Sequence, residues 1–167
     1  MDVLFEVKSA YKKAEISDVV KNAVAEGQFM TSAFVSLDPN KIVVDSWQLN
    51  YLNEKTDELT CFSVKNGLVE LISVSPRVHA EKKSYEVDMK KVKVSAKKAL
   101  SISEKELKKI FKATLMNKLF MTLHNDNIHN KEIWTVTYTT AGFQYVKIII
   151  DAGSGDVISC DRKSFLL

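Results

Sequence analysis

The sequence predicts an α+β protein made of two successive units, each a helix followed by an antiparallel β-meander. The 167 residues are 46% hydrophobic and 27% charged, which is enough apolar material for one folded domain or two small ones. The pattern Trp-x-apolar-x-Tyr at Trp47–Tyr51 recurs at Trp134–Tyr138, 87 residues further on. Short turns separate the strand-like segments in each unit. Strands joined by short turns pair antiparallel, because parallel pairs need a long crossover.

Composition excludes several broad classes of protein. Hydrophobicity is ordinary and 24 basic residues nearly balance 21 acidic ones, so a disordered chain is excluded. Two cysteines cannot form a disulfide framework, and no run of 18 apolar residues is present to span a membrane. The first residues lack the basic and apolar regions of a signal peptide. The sequence as it stands therefore predicts a cytoplasmic protein, or an extracytoplasmic one if a leader has been removed.

The first unit, assigned to residues 1–80, contains one predicted helix. Val3–Val7 is a short β-like run. The helix is predicted from Ser17 to Glu26, and Gly27 is placed just past its end as a C′ glycine. Its apolar face has helical spacing and consists of Ile16, Val19, Val20, Ala23 and Val24.

Three strands follow that helix. Apolar and polar residues alternate in Trp47–Tyr51, which indicates a half-buried strand. Leu59–Val64 and Leu68–Val74 are the next two strands, and Asn66-Gly67 between them is a strong hairpin turn. Ile42–Val44 is a candidate lead-in strand.

The second unit, assigned to residues 81–167, repeats this order. Residues 85–94 are a mixed linker and strand. Ser103 and Glu106 form a capping-box pattern that predicts a helix running to about Leu119. A polar loop and three strands then follow, at Asn125–Lys131, Ile133–Thr139, Phe143–Ile150 and Val157–Cys160. Ala141-Gly142 and Asp151–Asp156 are the predicted turns.

The second unit resembles the PepSY domain family. The resemblance rests on Trp134–Tyr138, on Gly142 and on Asp151-Ala-Gly-Ser-Gly155 followed by Val157. It implies a cystatin-like fold, in which a curved antiparallel sheet wraps a helix, so the chain is expected to hold two tandem cystatin-like units. PepSY domains occur in propeptides of thermolysin-type peptidases and in cell-envelope proteins, where they bind or inhibit peptidases or act as interaction modules. The first unit departs from the pattern, because no Asp matches Asp151.

Candidate metal sites are weak. The carboxylates of Asp151 and Asp156 could suggest a Ca²⁺ loop, but a hairpin turn in which Gly153 and Gly155 take positive φ is the favoured interpretation. His79, His124 and His129 lack the ligand number that a zinc site needs. We expect no metal and no cofactor.

The aromatic residues and the cysteines each leave two interpretations. Trp47, Tyr51, Trp134 and Tyr138 form either a stacking platform for bases or peptides or, as we favour, part of the core or of an interface between the units. Cys61 and Cys160 lie in apolar runs and are read as buried free thiols, with a disulfide as the alternative.

The expected function is a non-enzymatic binding module. Gly-rich phosphate loops, nucleophile elbows and His-Glu-x-x-His are missing from the sequence. We expect a protein or peptide partner that adds a strand to an exposed sheet edge, and inhibition or regulation of a peptidase is one form of this function. The alternatives are nucleic-acid or anionic-surface binding through the lysines between Lys82 and Lys118, and a small ligand held between helix and sheet. The sequence does not indicate the oligomeric state.

Overall fold

The computed structural model describes residues 7–38, 40, 46–78, 83–110, 116–142 and 144–164. The lead-in strand Ile42–Val44, His79 and the predicted helical residues 111–115 lie outside these ranges, as does most of the predicted run at Val3–Val7, whose last residue begins a helix. The elements in chain order are α1 (Val7–Ile16), α2 (Asp18–Ala23), β1 (Phe29–Leu37), β2 (Trp47–Asn53), β3 (Glu58–Lys65), β4 (Leu68–Pro76), α3 (Ala96–Ile110), β5 (Met116–Asp126), β6 (Lys131–Thr140), β7 (Gln144–Asp151) and β8 (Val157–Ser164).

All eight strands belong to one antiparallel sheet, in the order β4-β3-β2-β1-β5-β6-β7-β8. The α+β class is therefore confirmed. The first strands of the two halves pair with each other, from Ser32 opposite His124 to Leu37 opposite Leu119. The halves thus share one continuous sheet, and the structure does not show two separate cystatin-like sheets. The division of the chain at residue 80 stays a prediction.

The two strands at the centre of the sheet are the ones that the sequence analysis missed. The sequence patterns above assign no element to β1, and they place the start of β5 in the predicted helix that runs to Leu119. Both alternate with period two: Ala33, Val35 and Leu37 point into the core from β1, and polar or aromatic residues lie between them. In β5 the buried residues are Leu119, Met121 and Leu123. This alternation is the signature of a strand with one buried face.

The first predicted helix starts where the structure places α2, after the N-cap Ser17, but α2 ends at Ala23 and not at Glu26. Ser17 has extended backbone angles (φ −73°, ψ 134°), and its hydroxyl oxygen accepts a hydrogen bond from the backbone N–H of Val19. It therefore caps α2, while its own N–H closes α1 on the carbonyl of Ala14. Gly27 is not the C′ residue of α2, which ends at Ala23; its φ of +87° serves the turn closed by Gln28 N–H and Ala25 O.

The prediction that a capping box at Ser103 begins the second helix is also wrong. The hydroxyl of Ser95 accepts from the backbone N–H of Lys98, so Ser95 is the N-cap and α3 begins at the next residue, Ala96. Ser103 lies buried in the middle of the helix and donates to the carbonyl of Leu100 at 2.8 Å. The helix begins early because its buried residues form one stripe at helical spacing, namely Ala96, Ala99, Leu100, Ser103 and Leu107.

One face of the sheet is covered by the helices and by the linker that precedes α3. α1 lies against β2 and β3, α2 against β4, and α3 against β6 and β7. The linker closes the middle of this face: the N–H of Val87 donates to the carbonyl of Met30, and Val92 and Val94 are buried. Within the described ranges, no helix is both long enough and apolar enough to cross a bilayer.

Candidate functional site

The four aromatic residues picked out by the sequence repeat all lie in the core. Trp47, Tyr51, Trp134 and Tyr138 are each at most 4% exposed. The rings of Trp47 and Trp134 meet beneath β1 and β5, with centroids 6.3 Å apart and planes at 56°. The indole N–H of Trp134 donates to the carbonyl of Val94 at 2.9 Å. Their faces are therefore unavailable as a stacking platform, and the Trp pair joins the two halves of the core.

Each of the two tyrosines is bonded to the helix of its own half. The Tyr51 hydroxyl donates to Oε1 of Glu15 in α1 at 2.6 Å, and the Tyr138 hydroxyl is bonded to Oγ of Ser103 in α3. Burial raises the pKa of both phenols, and the Glu15 carboxylate raises that of Tyr51 further. Both stay protonated at neutral pH and act as donors that orient the helices on the sheet.

Asp151 organises the turn between β7 and β8. Its Oδ1 accepts from the backbone N–H groups of Gly153 (2.7 Å) and Ser154 (3.1 Å), and its Oδ2 accepts from Nζ of Lys131 (2.7 Å). Burial raises the pKa of Asp151, but the hydrogen bonds from Lys131, Ser154 and Gly153 outweigh it, and the pKa is lowered. Both carboxylate oxygens are engaged within the turn, which supports the hairpin interpretation over a Ca²⁺ loop.

The rest of this turn anchors the linker and α3. The carbonyl of Ala152 accepts from the backbone N–H groups of both Lys93 and Val94, each at 2.8 Å. Gly155 has φ +87°, and a Cβ there would lie 3.3 Å from Cδ1 of Ile102 in α3. Gly153 has no positive φ, so the prediction for that glycine is wrong. The motif that carried the PepSY resemblance is thus a structural clamp in this chain.

The described histidines do not form a metal site. His124 lies on β5, facing away from the helices, and its Nε2 is 3.2 Å from Oγ1 of Thr135. Burial lowers the pKa of His124, and the backbone hydrogen bond of Asn125 and the charge of Asp126 oppose this only in part. His129 is bonded to Asp126 in the following turn. No group of three His, Cys, Asp or Glu residues able to hold a metal occurs in the ranges that the structure describes.

The two cysteines are free thiols, as predicted, but Cys160 is exposed where a buried position was expected. Cys61 lies in β3 and Cys160 in β8, six strands apart in the sheet. At about 4.8 Å per strand this separation is roughly 30 Å, far beyond the reach of a disulfide. Burial raises the pKa of both thiols, so neither has the lowered pKa of a nucleophilic cysteine.

A cavity of about 650 Å³ opens on the face of the sheet that the helices leave uncovered. Thr122 and His124 form its floor, and Arg77, Lys83 and Tyr85 form one side. The guanidinium of Arg77 is already bonded to Asp57 (2.8 Å) and to Ser84 (3.2 Å). The expected concavity between helix and sheet is not where this cavity lies, because that side of the sheet contains the packed core.

The outer strand β4 is the most unusual surface of the described chain. It forms one edge of the sheet, and all its side chains except Val69 are exposed although most of them are apolar. The exposed fractions are 62% for Leu68, 47% for Leu71, 51% for Ile72 and 54% for Val74. Exposed edges normally carry charges that prevent pairing with other chains, and β4 has only Glu70.

The opposite edge of the sheet differs in this respect. β8 exposes Val157 near its start and Cys160, Asp161, Arg162 and Lys163 further along. Both outer strands contain a β-bulge, with Ile72 as the extra residue of β4 and Ile158 as that of β8. Both edges therefore carry a bulge, and β8 differs from β4 by the three charged residues that follow Cys160.

α2, which packs against β4, and the end of α1 that precedes it also expose apolar residues. Val19 in α2 is 38% exposed. Ile16, at the end of α1, is 73% exposed. Val69, Leu71 and Val74 lie on this helix side of β4, because their partners on β3 are the buried residues Val64, Phe62 and Thr60. We call Ile16, Val19, Leu68, Leu71, Ile72 and Val74 the β4 patch.

Comparison with known proteins shows the fold alone. Neither a protein-family model nor a curated protein matches the sequence. Among solved structures, the chain resembles a protein described as a putative lipoprotein from Clostridium difficile 630, with a TM-score of 0.54 and 10% sequence identity. The match covers 81% of this chain and 83% of that one.

The sequence analysis did not identify the β4 patch, although a signal was present. Leu68-Val-Glu-Leu-Ile-Ser-Val74 is nearly continuous in apolar residues, whereas Trp47–Tyr51 alternates. A continuous apolar run is typical of a strand that is buried on both faces. Its position at the edge of the sheet could not be obtained from the run itself.

Proposed function

We propose that the protein is a non-enzymatic binding module whose edge strand β4 pairs with an extended segment of a partner protein. One observation carries the proposal: β4 has the composition of an interior strand and the position of an edge strand. A partner strand would restore the neighbour that such a composition normally has.

The chemistry of an edge strand suits this role. Outward N–H and C=O groups of an edge strand can form main-chain hydrogen bonds with an added strand, and exposed side chains provide selectivity. On β4 these side chains are Leu68, Leu71, Ile72 and Val74, so the segment bound there should be apolar at matching positions. The charged residues of β8 disfavour the same pairing at the other edge.

The resemblance to PepSY domains extends this proposal. We regard the two halves as PepSY-like units fused through β1 and β5, because each half has a helical segment followed by four antiparallel strands. Matching Trp and Tyr residues at an offset of 87 support the same view. A regulatory or inhibitory interaction with a peptidase is then one form that binding at β4 would take.

Selection of displayed random peptides tests whether β4 accepts a strand. We expect enriched peptides to carry apolar residues at alternate positions, and to bind the Ile72→Lys variant at least tenfold more weakly. A lysine there places a charge on the edge, which disfavours strand addition. The Cys160→Lys variant is the matched control on β8, since it changes an exposed edge residue by the same charge.

The proposal fails if a protein that is monomeric at the concentration used enriches no peptide, or if enriched peptides bind the Ile72→Lys and wild-type proteins equally. Circular dichroism and thermal unfolding of both variants establish that each remains folded. Ile72 is half exposed and is the extra residue of a bulge, so its replacement is not expected to disturb the core.

A further inference from the structure

We infer that the partner of β4 is a second copy of this chain, paired antiparallel through β4 of both copies across a two-fold axis. The inference rests on the proposed function, because it names the occupant of the same edge. A two-fold contact uses one surface twice, so the surface must be complementary to itself. Three properties of β4 meet this requirement.

The first property is the order of side chains along the strand. When the axis lies between Leu71 and Ile72, Leu71 faces Ile72 of the second copy, and Val69 faces Val74 of the second copy. Opposite residues of an antiparallel pair lie on the same side of the sheet. Val69 and Val74 are both on the helix side, since they pair with Val64 and Thr60 of β3. Apolar side chains therefore meet apolar side chains on this side.

The second property is charge. In this register Glu70, the one charged residue of β4, faces Ser73 of the second copy and no carboxylate. Like charges placed opposite each other would be destabilising, and none are. On β8, three successive charged residues at 161–163 would enter any such pairing. The edge that can pair with itself is thus the one without a charge barrier.

The third property is area. Six apolar side chains are exposed on the β4 patch, between 38% and 73% each. At about 100 Å² of apolar surface per side chain, they would bury on the order of 600 Å² per copy. Two copies would bury about 1,200 Å² before any backbone is counted, which exceeds the roughly 1,000 Å² expected of a biological interface.

Ile16 and Val19 connect this area to the helix layer. α2 packs over β4, so joining two β4 strands brings the α2 helices of both copies towards the axis. The exposed side chains of α1 and α2 then cover the new strand pair on its helix side. In such a pair, apolar contacts within the sheet and within the helix layer would add to the backbone hydrogen bonds between the two β4 strands.

Analytical ultracentrifugation of the full chain tests the inference. Reducing conditions keep Cys160 from linking copies. We expect a reversible dimer at concentrations up to about 100 μM, a range that detects dissociation constants from micromolar upwards. The dissociation constant of the Ile72→Lys dimer should be at least ten times that of the wild-type dimer, and the Cys160→Lys protein should have the wild-type dissociation constant. Raising the salt concentration should not weaken the dimer, because apolar contacts are not screened.

Three results separate the inference from the proposed function. A monomer that still binds displayed peptides at β4 overturns the inference and leaves the proposed function standing. A dimer that is unaffected by Ile72→Lys overturns the inference too, because the copies would then meet at another surface. A monomer that also binds no peptide overturns both.

Discussion

The two halves of the sheet have matching interiors and different peripheries. In each half a Trp and a Tyr on the second strand point into the core, and the Tyr hydroxyl is bonded to that half's own helix. The Trp rings touch each other across the centre of the sheet. These shared positions are the ones where packing leaves little freedom, so the resemblance between the halves is concentrated there.

The peripheries show how each half is completed. In the second half, the turn that begins at Asp151 binds the linker through Ala152 and contacts α3 through Gly155. In the first half, the matching turn at Asn66-Gly67 has positive φ at both residues and is a simple hairpin. The helix of that half is divided at Ser17, and its outer strand is left apolar and exposed. The second half is therefore closed by its own chain, while the first half presents an open edge.

Replacing the central Trp residues should lower the free energy of unfolding more than any other change proposed below. The loss should be similar in both halves. Trp134→Ala is expected to lower the free energy of unfolding by about 3–5 kcal/mol, because it leaves a large cavity and removes the bond to Val94. Trp47→Ala should fall in the same range. Urea denaturation measures both.

The double replacement tests the contact between the two rings. Because their centroids are 6.3 Å apart, the double mutant should differ from the sum of the single mutants by roughly 0.5–3 kcal/mol. Additive effects would show that the halves form two independent cores. The Ile128→Ala variant, at a position that is 84% exposed, should change stability by less than about 0.5 kcal/mol.

Replacing the turn glycines should lower stability more in the second half of the chain than in the first. Gly27, Gly67 and Gly155 all have φ between +83° and +87°, so Ala should cost about 1 kcal/mol at each from backbone strain. At Gly155 the new Cβ would also press on Ile102, and the total should reach about 2 kcal/mol.

Gly27 and Gly67 act as controls, because a Cβ at either position would press on no rigid neighbour. At Gly27 a Cβ meets no atom within 4 Å, and at Gly67 it meets only the flexible end of Lys13. Equal losses at all three positions, measured by thermal unfolding, would mean that Gly155 does not clamp α3.

Removing the tyrosine hydroxyls should give the smallest effect. Tyr51→Phe and Tyr138→Phe should each cost about 1 kcal/mol, the net value of one hydrogen bond. The raised pKa of each phenol also predicts a pH effect. The unfolded chain loses these protons first, so the stabilisation is complete below about pH 10 and decreases as the pH rises above it.

Urea denaturation between pH 8 and pH 11 checks this prediction. The wild-type protein should lose stability above about pH 10, and the double variant Tyr51→Phe, Tyr138→Phe should lose less of it. A wild-type profile that matches the double variant would show that burial does not raise the pKa of either phenol.

Local sequence patterns were sufficient to predict the strands that alternate clearly or that flank a strong turn. Trp47–Tyr51 alternates and Asn66-Gly67 has the φ values of a two-residue hairpin turn, so the meander around them needed no tertiary information. The start predicted for the second helix is wrong because it rests on a capping motif at Ser103. In α3, the buried stripe that begins at Ala96 outweighed the motif at Ser103.

The sequence by itself determined the α+β class, the outer strands of each half and the matched aromatic pairs, because these follow from periodicity and short turns. Tertiary structure decided that β1 pairs with β5, since no local pattern specifies which strands meet when partners such as Ser32 and His124 are so far apart in the chain. The same pairing fixed β4 and β8 as the two edges of the sheet. An apolar strand has the same residues at an edge as in the interior, so only its neighbours decide whether its surface is free to bind.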